Sequence, residues 1–179
     1  MNLYICEICG DAYIGAEKPS DCPFCGAKNN FIKPADEARP VVSEKTELSE
    51  ISRKNLMETL ELEMRANAIY NCMAGKAAKY KINKMYKRLA KVELEHAVIA
   101  TKILGIDLPE IGSEMCSDDD LENFQKTIEL EDHASSLYKK FASEAAEDNI
   151  RKLFGALMQV EIGHIELIQG IIGTKDKNI

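Results

Sequence analysis

The chain has no tryptophan, five prolines and only three histidines in 179 residues. No apolar run approaches the roughly 20 residues that a membrane-spanning helix requires, so none is expected. Positive charge is also short. Thirty acidic residues against 23 Lys and Arg leave a net charge of −7, which argues against a nucleic-acid partner. Cys6 and Cys9 interrupt the first residues almost at once, so no signal peptide is expected and the setting reads as cytoplasmic. In such a setting, six cysteines point to metal before disulfides. The length fits one ordinary domain, or one with a small appendage, and suffices for a hydrophobic core.

Because histidine is scarce, its positions carry information. Two of the three complete the same pattern, Glu93-x-x-His96 and Glu161-x-x-His164. On a helix, residues three apart lie about 60° apart around the axis, so each pair projects from one face and can grip one metal ion. The two patterns are 68 positions apart, and the same step relates Glu63 to Glu131, Ala66 to Ala134, Tyr70 to Tyr138 and Gly105 to Gly173. Residues 56–107 and 124–175 therefore read as two copies of one helix–turn–helix unit.

The cysteines are as regular. Cys6-x-x-Cys9 and Cys22-x-x-Cys25 are each followed by glycine, Gly10 and Gly26. Two such knuckles present four thiolates to one ion, which suits iron or zinc. A segment this short cannot hold itself together by burial alone, so metal must supply much of its folding energy. Two disulfides are the plainer alternative.

Residues 1–34 thus form a four-cysteine metal domain, 35–45 an extended linker with little reason to pack, and 46–179 a helical domain. Helices are expected over about 46–73, 83–104, 118–147 and 149–172, with Gly105 closing the second and Ser117 capping the third. The first and last connections are short and make hairpins, whereas the middle one is long enough to cross a bundle. That predicts an all-α ferritin-like four-helix bundle with one long crossover.

In such a bundle Glu63 and Glu131 come from two helices and the Glu-x-x-His pairs from the other two. Four carboxylates and two imidazoles are the set that binds two iron or manganese ions in this fold. Glu93 and Glu161, beside the histidines, are expected to bridge. Tyr70 and Tyr138 fall two turns beyond Glu63 and Glu131. They either hydrogen-bond ligand carboxylates or simply fill the core. A solvated acidic face that happens to repeat is the alternative for the whole set, but the glutamates interrupt apolar stripes. His133, Glu61 and Glu129 read as surface residues. Cys72 reads as a packed helical thiol and Cys116 as an unpaired loop thiol. Met57, Met64, Met73 and Met85 read as core filler or surface.

With these motifs in hand, the chain resembles the rubrerythrin family. Cys6-x-x-Cys9 and Cys22-Pro23-x-Cys25 look like its rubredoxin module, and the segments around Glu63, Glu93, His96, Glu131, Glu161 and His164 look like its di-iron bundle. The rubredoxin-like part comes first, as in reverse rubrerythrins. The resemblance implies a peroxidase reducing hydrogen peroxide at two irons, with electrons relayed by a third iron in the four-cysteine site. It also implies an external NAD(P)H-dependent electron donor and a homodimer or larger homo-oligomer, in which the rubredoxin part often serves a neighbouring subunit. One position departs from the family. Rubrerythrins carry a further glutamate three residues beyond the counterpart of Glu131, and here that place is Ala134. Asp132 or His133 reaches the site only if the helix bulges. A ferroxidase is the second reading, and a zinc ribbon on a metal-stabilised bundle, without catalysis, the third. Zinc is the alternative metal in either site.

Overall fold

A computed structural model describes residues 1–175. Four long helices dominate: α1 (Glu50–Lys76), α2 (Tyr80–Leu104), α3 (Asp120–Glu144) and α4 (Asp148–Lys175). Before them, β1 (Asn2–Cys6), β2 (Ala12–Gly15) and β3 (Ile32–Pro34) form an antiparallel sheet in the order β2-β1-β3. The architecture is the expected four-helix bundle preceded by a rubredoxin-like module with four cysteines.

Helix ends follow local chemistry, and several differ from expectation for a visible reason. Ser49 caps α1 by accepting from Ser52 N, and residues 46–49 stay outside the helix because the turn before α4 holds them. There the Glu147 carboxylate accepts from Ser49 N at 2.5 Å, and Asn149 bonds Thr46. The third helix is capped by Asp119, not Ser117, since Asp119 Oδ1 accepts from both Leu121 N and Glu122 N. Ser117 instead accepts from Asp119 N at 3.0 Å. The second helix starts before Asn83, whose side chain donates to Ala74 O at 2.7 Å and so closes α1. Gly105, at φ +68°, ends α2 in the left-handed conformation that costs glycine little.

Along each helix the buried apolar residues fall into two groups with a glutamate between them. One group gathers Leu56 and Leu60 of α1, Ala97 and Ile99 of α2, Tyr138 and Phe141 of α3, and Phe154 and Leu157 of α4. The other gathers Ile69 and Met73, Ile82 and Tyr86, Phe124, and Ile168. Chain order through the two groups makes α1 and α2 antiparallel, α3 and α4 antiparallel, and α2 parallel to α3. The connection 105–119 therefore travels the length of the bundle. Each apolar half carries an aromatic cluster. Tyr86 has its ring centroid 5.9 Å from Tyr70 and 6.2 Å from Phe124, and Phe154 lies 6.0 Å from Tyr138 and 5.3 Å from Phe141. Such pairs add about 0.5–1.5 kcal/mol beyond their burial.

Two expectations are overturned. Residues 35–45 are not an extended, unpacked linker: Ala38 and Val41 are buried, Val41 N donates to Glu7 O at 2.8 Å, and 41–43 form a 3-10 turn against α2 and α4. Ala38 and Val41 turn inward, and Val42 packs partly against the same core. Cys72 and Cys116 are not separate thiols but form a disulfide that ties the end of α1 to the crossover. The crossover returns past the end of α1, which brings two cysteines 44 residues apart into reach. No helix among the described residues is long and apolar enough to cross a membrane.

Candidate metal centre

The two knuckles are built alike. Gly10 N donates to Cys6 O at 2.9 Å and Gly26 N to Cys22 O at 3.0 Å, with both glycines at positive φ. Gly26 is needed twice over, because a Cβ there would meet Val160 Cγ1 of α4 at 2.8 Å. The turns bring four buried, unbridged thiols together, with Cys6 and Cys25 Sγ 3.7 Å apart and Cys9 and Cys22 Sγ 3.7 Å apart. Four sulfurs about 2.3 Å from one tetrahedral ion would stand about 3.8 Å apart, so the spacing fits a metal.

Deeper in, the six predicted carboxylate and imidazole residues form two clusters. Glu63, Glu93, His96 and Glu161 make one, and Glu131, Glu93, Glu161 and His164 the other, each with its ligand atoms within 4.8 Å of one another. Glu93 and Glu161 belong to both. His96 Nδ1 lies 3.5 Å from Glu63 Oε1, 3.2 Å from Glu93 Oε2 and 3.3 Å from Glu161 Oε1. His164 Nδ1 lies 3.4 Å from Glu93 Oε1, 3.3 Å from Glu131 Oε1 and 3.0 Å from Glu161 Oε2. Each shared carboxylate therefore offers one oxygen to either cluster.

Both carboxylate oxygens of Glu93 and Glu161, and Nδ1 of both histidines, are buried without a hydrogen-bond partner. Orphaned polar atoms of this kind are costly, and converging ones mark a place for cations. The donor set, oxygen and imidazole without sulfur, fits two divalent ions of the iron or manganese type.

The surrounding groups hold these donors in place. Tyr70 of α1 donates to Glu131 Oε1 of α3 at 2.6 Å, and Tyr138 of α3 donates to Glu63 Oε1 of α1. The two tyrosines thus cross between repeats. Burial and the adjacent carboxylates push both phenols well up, so they remain donors. Burial raises Glu63 and Glu93, and raises Glu131 to about 7. For Glu161 burial acts the same way, but two facing imidazoles outweigh it and hold the carboxyl at about 2. Burial lowers His96 and His164, and the carboxylates around them more than reverse it. In place of metal, this pocket would hold protons.

His133, Glu61 and Glu129 are exposed, as expected. Ala134 is buried in an unbroken α3, with His133 turned outward and Asp132 outside both clusters, so neither replaces the missing glutamate. Sequence reasoning missed the contact between the two centres. The ring nitrogen His96 Nε2 lies 2.9 Å from Cys25 O and donates to it, which leaves Nδ1 for the cluster. It also missed Glu95, pushed up to about 7 by burial and by Asp11 of the module. Cys9, Asp11 and Glu95 lie together there. The only signal was adjacency, since Glu95 sits between Glu93 and His96. Arg88 and Lys152 complete the docking, the first donating to Pro23 O and Phe24 O, the second pairing with Glu7 at 2.9 Å.

No protein-family model matches the chain. It is 27% identical over 169 residues to Reverse rubrerythrin-1 of Clostridium acetobutylicum, an alignment covering 86% of this chain and 89% of that protein. The chain resembles the reverse rubrerythrins. In this rubrerythrin-like chain the four-cysteine module sits over the carboxylate clusters of its own bundle, through Cys25, Gly26 and Arg88.

Proposed function

We propose that this rubrerythrin-like chain is an oxidoreductase that reduces hydrogen peroxide to water, with iron in both sites. Glu63, Glu93, His96, Glu131, Glu161 and His164 would hold two irons, and Cys6, Cys9, Cys22 and Cys25 a third. Bound there, the iron pair would supply two electrons to the peroxide O–O bond, and the thiolate iron would return them singly. The observation that carries the reading is the hydrogen bond from His96 Nε2 to Cys25 O at 2.9 Å. It joins one ligand set to the other by a single contact, an arrangement that a relay uses and a store does not need.

The side chains do the rest. Tyr70 and Tyr138 hold Glu131 and Glu63 by their hydroxyl protons, so these carboxylates keep their orientation as charge at the centre changes. A cleft of about 260 Å³ lies between the second knuckle and the bundle, lined by Cys22, Gly26, Arg88, Val160 and His164. His164 is 8% exposed and His96 0%, so a small molecule would arrive on the His164 side. The reading carries with it an outside donor drawing on NAD(P)H and an assembly of two or more chains.

The test is a peroxide titration of anaerobically reduced, full-length protein with three irons per chain. Two-electron oxidation of the carboxylate centre over repeated cycles is expected, with the iron retained. Reduced, iron-loaded protein that ignores peroxide, or that only consumes added Fe(II), would overturn the reading.

A further inference from the structure

Between Glu63 and Glu93 the sequence has no acidic residue, in a chain that has 30 of them. Seven cations fall within 76–91 of that stretch. Five of these, Lys81, Lys84, Lys87, Arg88 and Lys91, lie within about 120° on one side of α2 by helical geometry. All five are exposed, and none makes an ion pair among the described residues. Like charges three and four apart weaken a helix, so folding gains nothing from the stripe. With Asn67 and Asn71 of α1, four of them border an open groove of about 440 Å³.

The groove adjoins the four-cysteine module. Arg88 Nη2 donates to Pro23 O at 2.5 Å and to Phe24 O at 3.1 Å, inside the Cys22-x-x-Cys25 knuckle. Phe24 is 38% exposed. A cationic stripe therefore runs up to a part-exposed apolar side chain within the second knuckle.

We propose that this stripe, with Phe24 at its end, docks an acidic one-electron carrier protein that reduces the four-thiolate centre. The proposal rests on the oxidoreductase reading above and names the partner that reading requires. One electron leaves the carrier and one enters the thiolate site, so the transfer balances. Charge complementarity selects the occupant. A net charge of −7 disfavours nucleic acid. On this chain's own acidic crossover, Asp118 is already paired with Lys76 and Glu114 with Arg65.

The test uses iron-loaded, full-length protein and a purified acidic flavodoxin as the probe carrier. Binding is measured by titration calorimetry, and electron delivery by bleaching of the visible iron–thiolate absorption. Wild-type association should weaken steeply with salt, and the Lys84→Glu/Lys87→Glu/Lys91→Glu variant should lose about 10- to 100-fold in association rate at low salt. A Lys139→Glu control on α3 should match wild type. Bleaching by methyl viologen radical, a small cation, should not slow in the triple variant. Salt-independent wild-type binding, or a triple variant that binds the flavodoxin as wild type does, would overturn the proposal. So would a triple variant whose only change, by sedimentation, is loss of self-association. Peroxide oxidation of viologen-reduced protein is read separately. If that fails while flavodoxin binding passes, the peroxidase reading falls and the docking surface stands.

Discussion

Glu93 and Glu161 each turn one oxygen to His96 and the other to His164, at 3.0–3.4 Å, whereas Glu63 and Glu131 each serve one cluster. Replacing a shared carboxylate should therefore cost both ions, and replacing an unshared one should cost a single ion. An ion present at about 1,000 times its dissociation constant stabilises the folded state by about 4 kcal/mol, so a filled pair contributes about 8 kcal/mol. In a chain of this size each kcal/mol moves Tm by about 2–4 °C, which makes the wild-type shift on loading about 16–32 °C. Glu63→Gln or Glu131→Gln should keep about half of it. Glu93→Gln or Glu161→Gln should keep almost none. The assay is thermal unfolding of metal-free protein with and without Mn(II), zinc having first filled the thiolate site, together with a metal count. Mn(II) suits it because hard oxygen donors bind it and thiolates do not compete for it. A Glu93→Gln protein that keeps one ion at wild-type affinity, or a Glu63→Gln protein that loses both, would refute the shared-carboxylate geometry.

Closing a 44-residue loop removes chain entropy equivalent to about 4 kcal/mol, so Cys116→Ser should lower unfolding stability by about that much in urea, and thiol counting on wild type should find Cys72 and Cys116 blocked. Metal uptake should release protons, because His96, His164 and Glu93 are raised and Glu131 lies at about 7 before binding. Calorimetry in buffers of different ionisation heat, at a pH of about 6.5, should find about three or four protons released, and affinity rising with pH. Glu147, held at about 2 by Ser49 N and Ser52 Oγ against an ordinary value of 4.5, contributes stability that is full above pH 4.5 and is lost as pH falls toward 2. Glu147→Gln should cost about 1 kcal/mol near neutral pH, since the group is only half-buried, and the difference from wild type should vanish as the pH falls to about 2.

The bundle was legible because its chemistry is duplicated. The step of 68 residues carries Glu63, Tyr70, Glu93 and His96 onto Glu131, Tyr138, Glu161 and His164, and both copies are read from one pattern. Helix ends were less legible because side chains that look like caps can serve elsewhere, as Asn83 does for α1 and Ser117 for the turn before α3. The Cys72–Cys116 bridge was hidden because neither cysteine has a repeat mate, and only the path of the crossover brings them together. Residues 35–45 misled through composition, since Pro40, Pro34 just before them and mixed charge masked Ala38 and Val41 as inward positions. The crossed tyrosines were visible as to face but not as to partner, because the pairing lies between repeats and no periodicity within a helix reports it.

The contact of His96 with Cys25 links folding of the small module to the chemistry of the large one. An imidazole fixes which nitrogen carries its proton by what the other nitrogen bonds. Here Cys25 O accepts from Nε2, so Nδ1 is the nitrogen turned to Glu63, Glu93 and Glu161, and the one a metal ion would bind. Cys25 O is in turn held by a knuckle whose four thiols have no reason to gather without an ion. His164 stands at the edge of the cleft instead. The pseudo-symmetry of the two repeats is thus broken where the module lands. One histidine faces the thiolates and the other the cleft, so two like positions in the repeat have different surroundings.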